Sequence, residues 1–154
     1  MKTIKVEALT PEAFAPYGKI VNTEGREDKG APGSHSWFPQ IVVRPDETSI
    51  NLMEVFPKEF KAQKFEAHDH TDETLLAMTG DVIVTCMSAE CFGADNLKAF
   101  RVPKGTGVNF SPKTWHFVPY PEKDSVWCAC IFKNGTSTDD IYFRELPEEV
   151  AIEL

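Results

Sequence analysis

Alternation of apolar and polar side chains, the mark of a strand with one buried face, runs through most of this chain. It opens at residues 2–9, where Ile4, Val6 and Ala8 alternate with charged neighbours. Thr10-Pro11-Glu12 then signals a helix start, with Thr10 as cap, Pro11 at the first helical position and Glu12 at the positive end. Gly18 reads as the C-cap, so the helix is short. Strand pattern resumes at 19–22 and gives way to a polar, charged, Gly-rich loop over 23–33, followed by the aromatic cluster His35, Trp37 and Phe38.

From there the chain is strand-like almost to its end, over 40–44, 49–56, 64–70, 75–78, 82–87, 97–102, 108–110, 115–118, 126–132 and 141–143. Turn signals punctuate it at Gly80-Asp81, Gly93, Gly105 and Asn134-Gly135. Residues 126–132 are apolar on both faces and are expected deep in the core, while 147–150 reads as one helical turn. Many short strands with a single early helix predict one all-β domain over 1–154, a sandwich or barrel rather than alternating βα units.

Length supports that reading, since 154 residues suffice for one substantial core. A net charge of −8 argues against nucleic acid or an anionic membrane surface as partner. No apolar run approaches the roughly 20 residues of a membrane span, and no charged start leads into an apolar leader, so a cytoplasmic location is expected. The four cysteines, Cys86, Cys91, Cys128 and Cys130, form no pair spaced by two. They read as free, mostly buried thiols acting as small hydrophobes. A thiolate metal site at Cys128 and Cys130 is the lesser reading, because zinc ribbons space their thiols by two to four residues.

The candidate chemistry lies in 66–80. His68 and His70 sit two apart, so in an extended segment both imidazoles share a face, and Glu73 follows. Neutral imidazole with carboxylate suits Zn, Ni, Fe or Mn. A histidine pair alone is equally a pair of solvent-facing or core-satisfied side chains. His116, opening a later strand after Gly107-Val-Asn-Phe-Ser-Pro-Lys-Thr-Trp, supplies a third imidazole.

Together, His-x-His…Glu…Gly and Gly…Pro…His resemble the two-part signature of the cupins, small jelly-roll β-barrels whose motifs face the interior and bind one divalent ion. That resemblance implies a cupin-type jelly-roll barrel with one short N-terminal helix, and a ligand set of His68, His70, Glu73 and His116. Glu73 is a ligand, a free base beside the ion, or a solvent-facing side chain.

A closer resemblance spans nearly the whole chain. Leu9-Thr-Pro-Glu-Ala-Phe-Ala-Pro-Tyr-Gly18, Ser49-Ile-Asn51, Phe65-Glu-Ala-His68, the Gly80 turn, Gly107-Val-Asn-Phe with Trp115-His116, and the Glu145–Glu148 ending resemble the ureidoglycolate lyase family. The resemblance implies a cupin-like homodimer that releases urea from ureidoglycolate to give glyoxylate in purine nitrogen salvage. Ala67 and Asp69 stand where that pattern has Arg and Pro, which removes a bidentate clamp for the substrate carboxylate.

The resulting expectations are a metal-assisted carbon–nitrogen lyase acting on a small acid. Glu73 and His116 are the catalytic pair, and Asn109 and Lys113 the substrate contacts. The alternatives are a cupin metalloenzyme, lyase or isomerase, acting on another hydroxy- or keto-acid, and a small-molecule-binding cupin without catalysis.

Overall fold

The computed structural model describes residues 1–154 and is nearly all β. It begins with strand β1 (Lys2–Ala8), the one-turn helix α1 (Pro11–Phe14) and β2 (Gly18–Val21). As the sequence implies, Thr10 caps α1, its hydroxyl accepting from the Ala13 amide at 3.2 Å. Gly18, however, is not the helix cap. It opens β2 where a Cβ would lie 1.7 Å from the Asn109 carbonyl oxygen, so the glycine allows β2 to approach its neighbour.

The remaining strands are β3 (Thr48–Val55), β4 (Lys61–Ala67), β5 (Glu73–Ala77), β6 (Val82–Met87), β7 (Lys98–Val102), β8 (Gly107–Phe110), β9 (Trp115–His116), β10 (Tyr120–Pro121), β11 (Val126–Lys133) and β12 (Tyr142–Glu153), with α2 (Thr136–Asp139) before the last. Residues 40–44 form no strand. The expected helical turn at 147–150 is instead part of β12, whose ladder to β4 slips between Glu145 and Val150.

Two sheets result. One runs β10-β6-β7-β1-β12-β4-β9, and β9 pairs again with β6, so the strands from β6 round to β9 close on themselves. β1 lies parallel to both β7 and β12; the other pairings of that sheet are antiparallel. The second is antiparallel, ordered β2-β8-β5-β11-β3.

Strand β6 shows how two cores arise. It is buried along its whole length, and its side chains alternate. Val82, Val84 and Cys86 pack with Leu75, Val108, Phe110, Val126 and Cys128 of the second sheet and with Phe14 of α1. Ile83 and Met87 pack with Phe65, Ala99, Val150 and Ile152, all on strands of the closed ring. Period-two side-chain placement thus makes one strand a wall shared by both cores.

Residues 126–132 behave differently from expectation. Val126 and Cys128 of β11 face the core, whereas Trp127 is 42% exposed, so only one face of that strand is deep. The strand next to it, β3, is an edge of the second sheet and leaves Ile50 and Leu52 exposed.

Candidate metal centre

Strand register assembles the site. Glu66 on β4 lies directly opposite His116 on β9, so both side chains stand on the same face of the first sheet. On β9, Trp115 packs into the ring core while His116 faces the other way. Two residues after Glu66, past the end of β4, His68 stays on Glu66's side. Glu73 reaches in from the second sheet as the first residue of β5.

The four side chains converge, with one ligand atom of each within 4.8 Å of the others. His116 Nε2 is 2.8 Å from Glu73 Oε2 and 3.6 Å from Glu66 Oε1. His68 Nε2 is 3.7 Å from Glu73 Oε1 and 3.9 Å from Glu66 Oε1. His68, Glu73 and His116 are buried; Glu66 is partly so.

Both imidazoles are held from behind. His68 Nδ1 donates to the Asp140 carbonyl at 2.8 Å and His116 Nδ1 to the Thr114 carbonyl at 2.9 Å. Phe110 stacks on the His116 ring at 4.6 Å, nearly parallel at 10°. A carbonyl oxygen can only accept, so each Nδ1 carries the proton and each Nε2 is the free lone pair of a neutral ring. Both Nε2 atoms are buried without a hydrogen-bond partner. Two lone pairs aimed at two carboxylates is an electrostatically poor arrangement unless a cation lies between them or the rings are protonated. Two imidazole nitrogens with two carboxylates, each imidazole backed by a carbonyl, fit a divalent transition ion.

Without a cation, charge is balanced by protons. Burial alone would lower the His116 pKa, but the Glu73 and Glu66 carboxylates outweigh it and push it up to about 9. Burial likewise opposes ionisation of Glu73, yet the two imidazoles win and hold its carboxyl down at about 2. At Glu66 burial prevails over the imidazoles, reinforced by the Glu73 charge, and the pKa is raised.

The cluster lines a cavity of about 270 Å³ shared with Met53, Phe117, Val118, Phe132 and Ile141. Its remaining polar side chains are Asn51, Cys130 and Ser137; no Arg or Lys lines it.

Three sequence expectations are displaced. His70 is exposed and lies outside the cluster, grouped with Asp69 and Asp140. Strand β4 ends at Ala67, so the shared-face argument does not extend to residue 70. The Asp140 carboxylate then takes the Asp69 and His70 amides at 2.9 and 2.8 Å and turns the chain away. Asn109 does not line the cavity: its Nδ2 donates to Asp72 Oδ2 at 2.7 Å and to Thr74 Oγ1 at 2.9 Å. It grips the residues on either side of Glu73, and Arg44 pairs with the same Asp72. Lys113 is exposed, adopts a left-handed φ of 69°, and uses its backbone amide to donate to the His68 carbonyl at 2.6 Å.

Glu66 is the member of the cluster outside the sequence expectation. Its signal in the chain is Glu66-x-His68, an i, i+2 pair one step earlier than the histidine pair.

Comparison with known proteins agrees with this frame. A 3,4-ketoisomerase from Thermoanaerobacterium thermosaccharolyticum, solved in complex with TDP-4-keto-6-deoxyglucose, superposes with a TM-score of 0.55 at 12% identity. The match covers 80% of this chain and 84% of that one, and it shows the shared cupin-type fold. Proteins named ureidoglycolate lyase from Stutzerimonas stutzeri and Pseudomonas syringae pv. tomato are 23% and 24% identical over 157 residues, spanning 94% of this chain and 92% of each relative. The family model for ureidoglycolate lyase matches residues 1–153, and the chain belongs to the ureidoglycolate lyase family.

Proposed function

We propose that this protein is a metal-assisted ureidoglycolate lyase, with His68, His116 and Glu73 holding the ion and Glu66 carrying the proton. The observation that supports this most directly is the convergence of those four groups on one cavity, with both Nε2 atoms left without a partner. A divalent ion such as Ni, Zn, Mn or Fe bound there would lower the pKa of a coordinated hydroxyl and neutralise a carboxylate. That second role matters here because no Arg or Lys lines the cavity to meet the substrate's carboxylate.

The residues divide the remaining work. Glu73, whose carboxyl is held at about 2, keeps its charge across the working range and suits a ligand. Glu66, partly exposed to the cavity and 3.6 and 3.9 Å from the two imidazole nitrogens, suits proton transfer. Its carboxylate takes the substrate's hydroxyl proton as the carbonyl of glyoxylate forms. The carbon–nitrogen bond breaks with its electron pair passing to nitrogen, and Glu66 returns the proton there, so urea leaves neutral. Met53, Phe117 and Phe132 limit water around these steps.

The same reading takes the chain as a cytoplasmic homodimer. The four free cysteines suit a reducing compartment, and no helix is long and apolar enough to cross a membrane. The exposed apolar face of β3 and β11 suits a second copy.

The test is direct. Purified protein loaded with each metal is given ureidoglycolate, and glyoxylate and urea are measured. Equal amounts of both are expected with at least one metal; no glyoxylate with any of them overturns the assignment.

A further inference from the structure

Asn51 is a polar side chain on the cavity wall whose role the proton transfer above leaves unfilled. It sits on β3 directly across from Cys130 of β11, which in turn faces Leu75 of β5, and all three line the cavity. Two interstrand steps, about 10 Å in all, separate β3 from β5, the strand that Glu73 opens. A metal–oxygen bond, one small substrate and one hydrogen bond would together span a distance of that order.

The orientation of the Asn51 amide is fixed. Its Nδ2 donates to the Cys130 carbonyl at 3.0 Å and to Ser49 Oγ at 3.1 Å. A carbonyl can only accept, so the group facing Cys130 must be the NH2, which also lies 3.5 Å from the Ser49 carbonyl. The remaining oxygen, Oδ1, receives no hydrogen bond from the protein, although Asn51 lies on the cavity wall. A preset, acceptor-only group at the end of an otherwise largely apolar wall calls for a ligand with a neutral N–H donor.

We infer that Asn51 is a specificity-determining residue whose Oδ1 accepts a hydrogen bond from the terminal NH2 of the substrate's ureido group. This rests on the lyase reading and extends it to the end of the substrate remote from the bond that breaks. The cluster at Glu66, His68, Glu73 and His116 takes the acid end, and Asn51 selects a ureido group over an acyl group of the same shape. Ser49 is the positioning residue that holds the amide.

Hydantoate and N-acetylglycine isolate this contact. Both lack the hydroxyl, so neither can be cleaved, and they differ in carrying NH2 or CH3 at the terminal position. Their binding to the metal-loaded protein is measured by calorimetry, for the wild type and for Asn51→Leu, alongside glyoxylate release from ureidoglycolate. The wild type should bind hydantoate about five- to tenfold more tightly than N-acetylglycine, the worth of one neutral hydrogen bond. In Asn51→Leu that preference should vanish while N-acetylglycine affinity stays within about threefold.

Equal affinities in the wild type overturn the inference without recourse to a variant, so a misfolded Asn51→Leu cannot shelter it. A preference that survives in folded Asn51→Leu overturns it too. If glyoxylate is released in either of those cases, the lyase reading stands and only the role of Asn51 falls. If the wild type releases no glyoxylate, the reading and the inference fall together.

Discussion

His116 Nε2 stands 2.8 Å from Glu73 Oε2, and His68 Nε2 stands 3.7 Å from Glu73 Oε1, so one carboxylate faces both imidazoles. A single cation seated among the three would meet a ligand atom from each. Two carbonyls lock the imidazoles from behind, so the geometry is built into the backbone rather than chosen by the side chains.

The first consequence is a ligand set that excludes His70. His116→Ala and Glu73→Gln should each lower metal affinity by more than about a hundredfold, beyond the 10–100-fold typical of outer-shell changes. His70→Ala should leave it unchanged, since that side chain is exposed and apart. Metal content by elemental analysis after dialysis measures this. Full occupancy in His116→Ala would sink the site.

Acidity gives a second consequence. In the metal-free protein His116 has its pKa raised to about 9, so below that pH a proton occupies the lone pair an ion needs. Affinity should therefore climb by up to about tenfold per pH unit between pH 6.5 and 9, then level off. Stability of the metal-free protein should run the other way. The His116 contribution is fully present below about 6.5 and is lost as pH rises through about 9. The Glu73 contribution is present above about 4.5 and lost as pH falls through about 2. Melting curves across pH should show both limbs, and His116→Ala should flatten the alkaline one.

Glu66 separates binding from chemistry. Glu66→Gln keeps the shape and the cross-strand pair with His116 but cannot carry a proton. If Glu66 is the proton carrier, kcat should fall by about 10²–10⁴-fold with metal content retained. Loss of metal in parallel with activity would make it a ligand instead.

How much of this the chain disclosed depended on which rule governed each position. The alternation of β1, the continuous apolar run of β6 and the Thr10-Pro11 cap are local signals, and they place those elements within a residue or so. The helical turn expected at 147–150 gives way to β12, whose Val150 pairs with Lys2 of β1 and Ala62 of β4, partners that no local pattern records. His68, Glu73 and His116 were legible as a motif. Glu66 joins them by lying opposite His116, a register no local pattern records, and His70 lies outside the cluster where the chain beyond β4 bonds to Asp140, seventy residues away. Asn109 was a sound candidate for importance but not for substrate contact: it secures Asp72 and Thr74 and thereby the position of Glu73.

The outer face of the second sheet yields the last prediction. Ile50 and Leu52 on β3 are 73% and 65% exposed, and across the ladder they meet Ile131 and Ala129 of β11, with Trp127 further along. Because β3 is an edge strand, this apolar face adjoins unpaired backbone groups. Left bare, such a patch would be open to uncontrolled association. Two copies packed across a two-fold axis would bury the same residues on both partners, and the wild type is expected to sediment as a dimer. Leu52→Glu would place a carboxylate on that face twice, once from each copy; the cation of β11, Lys133, lies four residues along the strand from Ala129, the residue opposite Leu52. The substitution should weaken dimerisation by at least about tenfold, a conservative figure for one unpaired buried charge per subunit. Equilibrium sedimentation should show the shift to monomer, and melting of the isolated subunit should change little because Leu52 is already exposed within it. A variant that remains dimeric at micromolar concentration would place the interface on another face.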